Sequence, residues 1–273
     1  MIQDIAPSRL DNSYKNRALK SGDIVLAFDK EGKLIADVSD GSLVFPDTSY
    51  GDHKTQYLFS VDETGYFLLM DDDPDSIFSG AEHLAIRQVR DMCSGKELFA
   101  AFTAYHLWKW YDDNRYCGTC GEPLSPDDTE RALKCGNCGR IVYPRINPAV
   151  IVGVINGDSL LITRYRRGYA HNALVAGFAE IGETLEETVA REVMEETGLH
   201  VANIRYYKSQ PWGMAQDLLT GFFCDVTGDD TIRMDEGELK YAEWTKRDEI
   251  ELQPNNLSLT NEMMRMFKEN RIR

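Results

Sequence analysis

The sequence predicts an α+β protein in three parts, and three observations carry that prediction. Short apolar runs of strand length recur along the chain, separated by turns rich in Asp, Asn and Gly. Two other stretches place apolar residues at helical steps, one near the middle of the first half and one at the carboxyl end. Between the halves stand two C-x-x-C pairs, which give a short segment its own means of stabilisation. The predicted parts are a small α+β amino-terminal domain over residues 1–112, a cysteine-pinned module over 113–145 and a second α+β domain over 146–273. A chain of 273 residues suffices for about two domains with real cores.

In order, residues 1–20 are polar and read as irregular. Ile24 to Phe28 and Leu34 to Val38 are β-like runs around the turn Asp29-Lys-Glu-Gly-Lys. Tyr57 to Val61 and Tyr66 to Met70 repeat that arrangement around Asp62-Glu-Thr-Gly65. The run Asp71-Asp-Asp-Pro74-Asp breaks the sheet and reads as a solvated loop rather than a metal site. Residues 80–113 read as helical, with Leu98, Phe102, Tyr105 and Trp108 forming a core stripe. His106 is expected to be partly exposed on this helix, and Cys93 to be a small buried hydrophobe.

Cys117-Gly-Thr-Cys120 and Cys135-Gly-Asn-Cys138 are separated by fourteen residues. Four thiolates at such spacing suit a tetrahedral zinc ion, and a glycine follows each pair where the backbone must turn. With every ligand position taken by sulfur, the site is closed and reads as structural. It staples a segment too small for a core of its own.

Beyond it, Ala149 to Ile155 and Leu160 to Tyr165 read as a hairpin around Asn156-Gly-Asp-Ser. Arg164, Arg166 and Arg167 form a basic patch that either meets phosphate or is simply solvated. Strands are predicted near Ile204 to Lys208, Leu218 to Val226 and Lys240 to Thr245, with Cys224 in the core. A last helix, about Ser258 to Asn270, carries Met263, Met264 and Phe267 at core spacing.

The stretch Gly177 to Leu199, GFAEIGETLEETVAREVMEETGL, carries the chemistry. Thr184 and Glu187 form a T-x-x-E capping box, so a helix should start near residue 185, and Gly198 suits its end. At about 100° per residue, Glu192, Glu195 and Glu196 fall within a ~100° arc. Three carboxylates so close repel one another unless cations lie between them. Hard oxygen ligands of this kind suit Mg2+ or Mn2+, which also bind phosphate oxygens. Glu192 and Glu196 point towards Leu185 and Val189, at the border of the buried side, which counts against a merely solvated acidic face. Glu183 precedes the helix, and Arg191 is placed to pair with it or with another of these carboxylates, or to contact phosphate.

The same stretch fills every fixed position of G-x5-E-x7-R-E-U-x-E-E-x-G-U, with U aliphatic, and so resembles the Nudix box. The resemblance implies the Nudix fold, a mixed sheet between helices in an α-β-α arrangement, and hydrolysis of a diphosphate joined to another moiety. Three features narrow it to the NADH pyrophosphatase (NAD+ diphosphatase) subfamily. These are the zinc ribbon just before the box domain, the separate amino-terminal domain, read as Nudix-like, and Ser209-Gln-Pro-Trp212 after the box. That subfamily carries SQPWPFPxS here, whereas this chain continues with Gly213, Met214, Ala215, Gln216 and Asp217. Loss of two prolines and an aromatic should loosen the loop and leaves substrate choice less fixed.

The resemblance implies divalent-metal ligands at Glu192, Glu195, Glu196, the main-chain carbonyl of Ala176, and Glu238 in the later G-E-L segment. Glu183 and Arg191 join Glu192, Glu195 and Glu196 as the catalytic set. Substrate contacts are implied at Tyr143, at Gln210 to Asp217 (with Pro211 and Trp212), and at Glu130 and Arg87. Phe178 and Trp212 are candidates to stack a base, with ordinary packing as the alternative. One Zn2+ per chain and catalytic Mg2+ or Mn2+ are the implied cofactors. The implied reaction is NAD(H) plus water giving nicotinamide mononucleotide and AMP, in a homodimer. ADP-ribose, dinucleoside polyphosphates and NAD-capped RNA ends are alternative substrates, and a non-catalytic nucleotide sensor is a rival of another class.

Composition limits the partners. A net charge of −15 and a sequence pI near 4.8 argue against general nucleic-acid binding, which needs basic surface. A nucleotide in a metal-lined pocket is still compatible, because the cations supply positive charge. No apolar run approaches the ~20 residues of a membrane span, and the amino terminus lacks an apolar signal core. With four of six cysteines paired as C-x-x-C, a reducing cytoplasm is the expected setting.

Overall fold

The structure, a computed structural model, describes residues 1–46, 53–70, 74, 77–78, 80–166 and 171–272. Asp71, Asp72, Asp73 and Asp75 of the acidic run lie outside those residues, as does Arg167. The chain divides into two compact units, one of residues 2–145 with 212–216, the other of residues 146–211 and 217–273 with Met1.

The first unit contains β1 (Leu10–Asp11), β2 (Ile24–Leu26), β3 (Leu34–Ile35), β4 (Asp37–Ser39), β5 (Ser42–Val44), β6 (Thr55–Val61), β7 (Thr64–Leu69) and β8 (His83–Leu84). Helices α1 (Ile86–Met92) and α2 (Lys96–Asp113) follow, then β9 (Leu124–Pro126), β10 (Leu133–Cys135) and β11 (Ile141–Val142). One sheet runs β1-β6-β7-β2, and a smaller one runs β11-β10-β9 between the cysteine pairs and beyond. The β6–β7 hairpin forms as expected, closing at Val61 opposite Thr64. The Asp29 turn also forms, because the Asp29 carboxylate accepts from the amides of Glu31 (2.8 Å) and Lys33 (2.9 Å). Its flanking runs meet next to the turn, where Phe28 bridges Leu34 and the Ile35 amide donates to the Ala27 carbonyl (3.0 Å), and further out β2 pairs parallel with β7 and β3 with β8.

The stretch expected to be helical over 80–113 begins instead with β8 and then forms two helices. α1 ends at Met92, where Cys93 turns extended, and Gly95, at φ 89°, caps the start of α2. On α2, Leu98 and Phe102 are buried as expected, whereas Tyr105 and Trp108 are half-buried against Phe28, at ring separations of 5.6 and 5.2 Å. Trp110, absent from the expected stripe, is fully buried, and so are its neighbours Leu107 and Tyr111.

The second unit contains β12 (Asn147–Asn156), β13 (Ser159–Tyr165), β14 (Val175–Phe178), α3 (Leu185–Thr197), β15 (His200–Trp212), β16 (Asp217–Thr227), β17 (Leu239–Lys246) and α4 (Leu259–Lys268). Its sheet runs β15-β16-β12-β13-β17, with β14 also on β12. The β12–β16 pair is parallel and the β12–β13 and β13–β17 pairs are antiparallel, so the sheet is mixed. Strand alternation sends Val150, Val152 and Val154 to one face, packed with Val189 and Val193 of α3. Ile151 and Ile155 point to the other face, packed with Leu259, Met263, Met264 and Phe267 of α4. The sheet therefore lies between helices, and burying both faces explains the nearly unbroken apolar run of β12.

β12 also shares one of its edges. Residues 149–152 pair with β14, and residues 155–156 pair with β13. This fork leaves β13 and β14 diverging from a common parent strand. A bridge between Thr163 and Ala173, with bonds of 2.9 and 2.8 Å, ties them again further out.

Candidate functional site

Helix α3 begins and ends where its residues dictate. The Thr184 hydroxyl accepts from the Glu187 amide (3.2 Å), and the Glu187 carboxylate accepts from the Thr184 amide (2.8 Å), completing the reciprocal box. Gly198 closes the helix at φ 71°. One face packs on the sheet, and the border of that face carries the glutamates.

The helix is fastened to β14 residue by residue. The Ala176 amide donates to the Tyr165 hydroxyl (3.0 Å), and that hydroxyl lies 3.0 Å from Oε1 and 3.3 Å from Oε2 of Glu196. At Gly177, a Cβ would stand 1.9 Å from the carboxyl carbon of Glu192, so glycine leaves room for that carboxyl against β14. The Phe178 carbonyl accepts from Arg191 Nη2 (2.9 Å). Arg191 also donates to Glu183 through Nε (2.6 Å) and Nη2 (2.9 Å), to Glu192 (2.7 Å) and to Glu195 (3.0 Å). Arg191 is thus the brace that the sequence allowed, and it reaches all three carboxylates rather than one.

The electrostatics divide the glutamates. Arg191 draws the Glu183 carboxyl down to about 2, so Glu183 is a fixed anion within the brace. Burial raises the Glu192 carboxyl despite its bond to Arg191, with Glu195 and Glu238 adding repulsion. Burial pushes Glu196 up to about 8, opposed by the bond from Tyr165 and reinforced by the charges of Glu192 and Glu238. Glu196 is 2 % exposed, which is rare for a carboxylate without a cation beside it. Glu195 and Glu238 are exposed at the rim. The donor set fits a hard divalent cation: buried carboxylate oxygens, a nearby main-chain carbonyl at Ala176, and like charges that a cation would neutralise. The glycine at 177 keeps the space beside Glu192 free of a side chain.

The ribbon cysteines converge without help. The sulfurs of Cys117, Cys120, Cys135 and Cys138 all lie within 4.8 Å of one another, with 3.6 Å between Cys117 and Cys138 and 3.5 Å between Cys120 and Cys135. A tetrahedral ion with Zn–S bonds of about 2.3 Å requires sulfur separations of about 3.8 Å, so the fit is close. The Thr119 amide donates to the Cys117 sulfur (3.4 Å), and main-chain amides draw that thiol down to about 6, favouring the thiolate. Gly121 and Gly139 occupy left-handed turns at φ 79° and 76°, as their positions after each pair required. Among the described residues, this is the one set of three or more His, Cys, Asp or Glu whose ligand atoms all converge so closely.

The remaining expected substrate residues fall out differently. Tyr143 and Glu130 are exposed and joined, the hydroxyl donating to Glu130 Oε1 (2.9 Å). Arg87 is exposed on α1. Phe178 is 54 % exposed, free to receive a ring. Gln210 requires a correction, since its side chain is fully buried. It accepts from the Leu259 amide (2.7 Å) and donates to the Leu257 carbonyl (2.8 Å), anchoring the start of α4.

Trp212 packs edge-on against Phe102 at 5.7 Å, which is the packing alternative for that residue. The loosened loop expected after it is instead a defined turn. Amides of Ala215 and Gln216 donate to the carbonyls of Trp212 and Gly213 (both 3.2 Å), and Arg145 holds the Gln216 side chain. A Cβ on Gly213 would stand 2.0 Å from the Phe102 carbonyl oxygen, so glycine permits this approach. Pro211 and Ala215 are exposed, Met214 is half-buried, and Gln216 and Asp217 are buried. In the basic patch, Arg164 donates to Asn172 (2.7 Å) and Arg166 to the Glu236 carbonyl.

Tyr165 is the residue that the sequence reading left as the end of a strand. The available signal was its phase: Leu161, Thr163 and Tyr165 share one strand face, and Leu161 packs with the α3 cluster.

Comparison with known proteins agrees with this geometry. Residues 145–267 match the NUDIX domain and residues 112–143 the NADH pyrophosphatase zinc ribbon domain. A protein described as NAD-capped RNA hydrolase NudC, from Shigella dysenteriae serotype 1, is 42 % identical over 173 residues. The match covers 62 % of this chain and 66 % of that protein. The protein of the same description from Escherichia coli (strain K12 / DH10B) is 41 % identical over the same coverage. The chain thus spans just under two thirds of the length of these curated relatives. A NUDIX hydrolase structure from Nitrosomonas europaea aligns with a TM-score of 0.51 at 20 % identity, covering 57 % of this chain and 92 % of that one, which speaks to the fold.

Proposed function

We propose that this chain, a NUDIX domain preceded by the zinc ribbon of the NADH pyrophosphatases, hydrolyses the diphosphate bond of NAD(H) to nicotinamide mononucleotide and AMP. The observation that carries the reading is the fastening of α3 to β14, which gathers Glu192, Glu196 and the Ala176 main chain around one buried point.

In this reading Glu192, Glu195, Glu196, Glu238 and the Ala176 carbonyl hold Mg2+ or Mn2+. Such cations, when bound, neutralise the diphosphate oxygens and ease deprotonation of the attacking water. The protein supplies the rest. Arg191 and Glu183 keep loop and helix as one rigid piece, so the ligands do not reorganise during attack. Glu195 or Glu238, both exposed at the rim, accepts the proton from water. Phe178 offers an exposed ring to a base, and the exposed Tyr143, Glu130, Arg87, Pro211 and Ala215 are read as further substrate contacts. The ribbon cysteines hold structural zinc and take no part in the reaction.

A second reading is favoured by the relatives described as NAD-capped RNA hydrolases: the same bond, cut at the end of an RNA. The chain is also read as a homodimer, which sedimentation at micromolar concentration tests. A cytoplasmic setting is read from its reduced, zinc-matched cysteines.

The deciding experiment is a hydrolysis panel of NADH, NAD+, ADP-ribose, a dinucleoside tetraphosphate and an NAD-capped RNA, with Mg2+ or Mn2+ and products resolved by chromatography. Mononucleotide and AMP from NADH are expected. Cleavage of ADP-ribose alone would move the substrate assignment, and binding without turnover would revive the sensor reading.

A further inference from the structure

Strand β13 carries a register shift where it pairs with β17. Arg164 lies opposite Tyr241, and Tyr165 lies opposite Leu239, with Lys240 passed over. The extra residue belongs to β17, so β13 keeps its alternation up to Tyr165. Its ring is half-buried or better, on the same strand face as Leu161 and Thr163, and its hydroxyl ends among four oxygens and one amide.

The hydroxyl has one proton to give. The candidate acceptors are Glu196 Oε1 at 3.0 Å, Glu196 Oε2 at 3.3 Å, the Ala176 carbonyl at 3.4 Å and the Leu174 carbonyl at 3.5 Å. The shortest, to an anionic oxygen, is the strongest. A hydroxyl oxygen also accepts, and it receives the Ala176 amide at 3.0 Å. One side chain therefore meets both the carboxylate of Glu196 and the Ala176 main chain, whose amide it accepts and whose carbonyl, in the adjoining peptide plane, lies 3.4 Å away. A carboxylate offers about four lone-pair directions, so one bond from a phenol leaves the others available.

We propose that Tyr165 is a positioning residue for the divalent-cation site, holding Glu196 and the Ala176 main chain in the arrangement that receives the ion. The inference rests on the proposed metal reading of the box. It adds a residue outside the box, delivered by strand β13, that sets how tightly the ion is held. Partners of this kind, which orient a ligand without touching the metal, alter affinity by about 10- to 100-fold when removed.

The test uses the full zinc-loaded chain and Mn2+ alone as titrant, followed by calorimetry and by loss of the free Mn2+ signal in electron paramagnetic resonance. Wild type, Tyr165→Phe and Glu196→Gln are compared, with melting curves for each. Tyr165→Phe is expected to weaken Mn2+ binding about tenfold. Its KM for NADH should hold steady, and its kcat at saturating Mn2+ should return to within about threefold of wild type. A merely structural defect would not be rescued by more metal. Mn2+ affinity in Tyr165→Phe within twofold of wild type, or tighter, overturns the proposal while leaving the metal reading intact. Absence of Mn2+ binding by the wild type, or unchanged binding by Glu196→Gln, overturns the metal reading and this inference with it. Should Tyr165→Phe fail to fold, Tyr165→His keeps a ring and a polar donor. It is read the same way, with binding at least about threefold weaker expected and wild-type affinity overturning the proposal.

Discussion

The chain holds two clusters built for metals, and they prepare for the ion in opposite ways. The ribbon sulfurs already converge, held by main-chain amides and glycine turns, with no competing partner of opposite charge. The box carboxylates are spoken for: Arg191 engages Glu192 and Glu195, and Tyr165 engages Glu196. A site that only has to hold its ion gains from complete convergence, since binding energy then becomes folding energy. A site that must admit substrate and water gains from ligands held in place by neighbouring side chains, with coordination positions left open. The closed set of soft sulfurs and the open set of hard oxygens therefore differ in task as well as in chemistry.

Each side of this contrast can be broken separately. The largest expected effect is on turnover: Glu196→Gln keeps the shape and removes the charge, and kcat should fall by several orders of magnitude, about 10³-fold or more. Its melting temperature should not drop, because a buried carboxylate that burial disfavours is being replaced by a neutral amide. Near-normal NADH hydrolysis by that variant would sink the assignment. Next comes Cys117→Ser, expected to lose zinc stoichiometrically and to raise hydrogen exchange across residues 113–145. Unchanged zinc content and unchanged exchange would refute the ribbon reading.

Gly177→Ala joins fold and site. Its Cβ would collide with the Glu192 carboxyl, the far end of a flexible side chain, so that carboxyl must swing out of its place, with a small loss of stability by denaturant unfolding. Mn2+ affinity should fall in the same variant. Unchanged Mn2+ affinity in Gly177→Ala would show that the Glu192 carboxyl is not held against β14 as described.

The smallest effect concerns Asp217, which burial pushes up to about 6 from an ordinary 3.8. Because its folded value exceeds its unfolded one, the native state holds the proton more tightly. That contribution is complete below about pH 4 and disappears as pH rises through about 6. Asp217→Asn should therefore stabilise the protein above about pH 6, by about 1–3 kcal/mol, and make little difference near pH 4. A stability gain independent of pH would mean that the carboxyl titrates normally.

Much of this contrast was legible in the residues. Thr184, Glu187 and Gly198 marked both ends of α3, because caps are local chemistry written in adjacent positions. The four cysteines announced their own convergence. What escaped was set by contacts distant in sequence. Gln210 and Trp212 look like surface recognition residues, yet one anchors α4 and the other packs on Phe102, and no local rule states which way a polar or aromatic side chain turns. The break between α1 and α2 falls at Cys93, Ser94 and Gly95, where an extended cysteine and one glycine interrupt an otherwise helical pattern. Tyr165 showed only its strand phase, because the partners of its hydroxyl, Glu196 and the Ala176 main chain, belong to other elements.

The forked edge of β12 has a consequence for how the molecule can vary. β14 supplies the Ala176 peptide and β13 supplies the Tyr165 hydroxyl, and both branch from the same strand within a few residues. Tyr165 stands past the Thr163–Ala173 bridge, so the bridge alone does not hold its hydroxyl in place. A length change in β13 or β14 would therefore misalign hydroxyl and peptide together, and so would one between Thr163 and Tyr165.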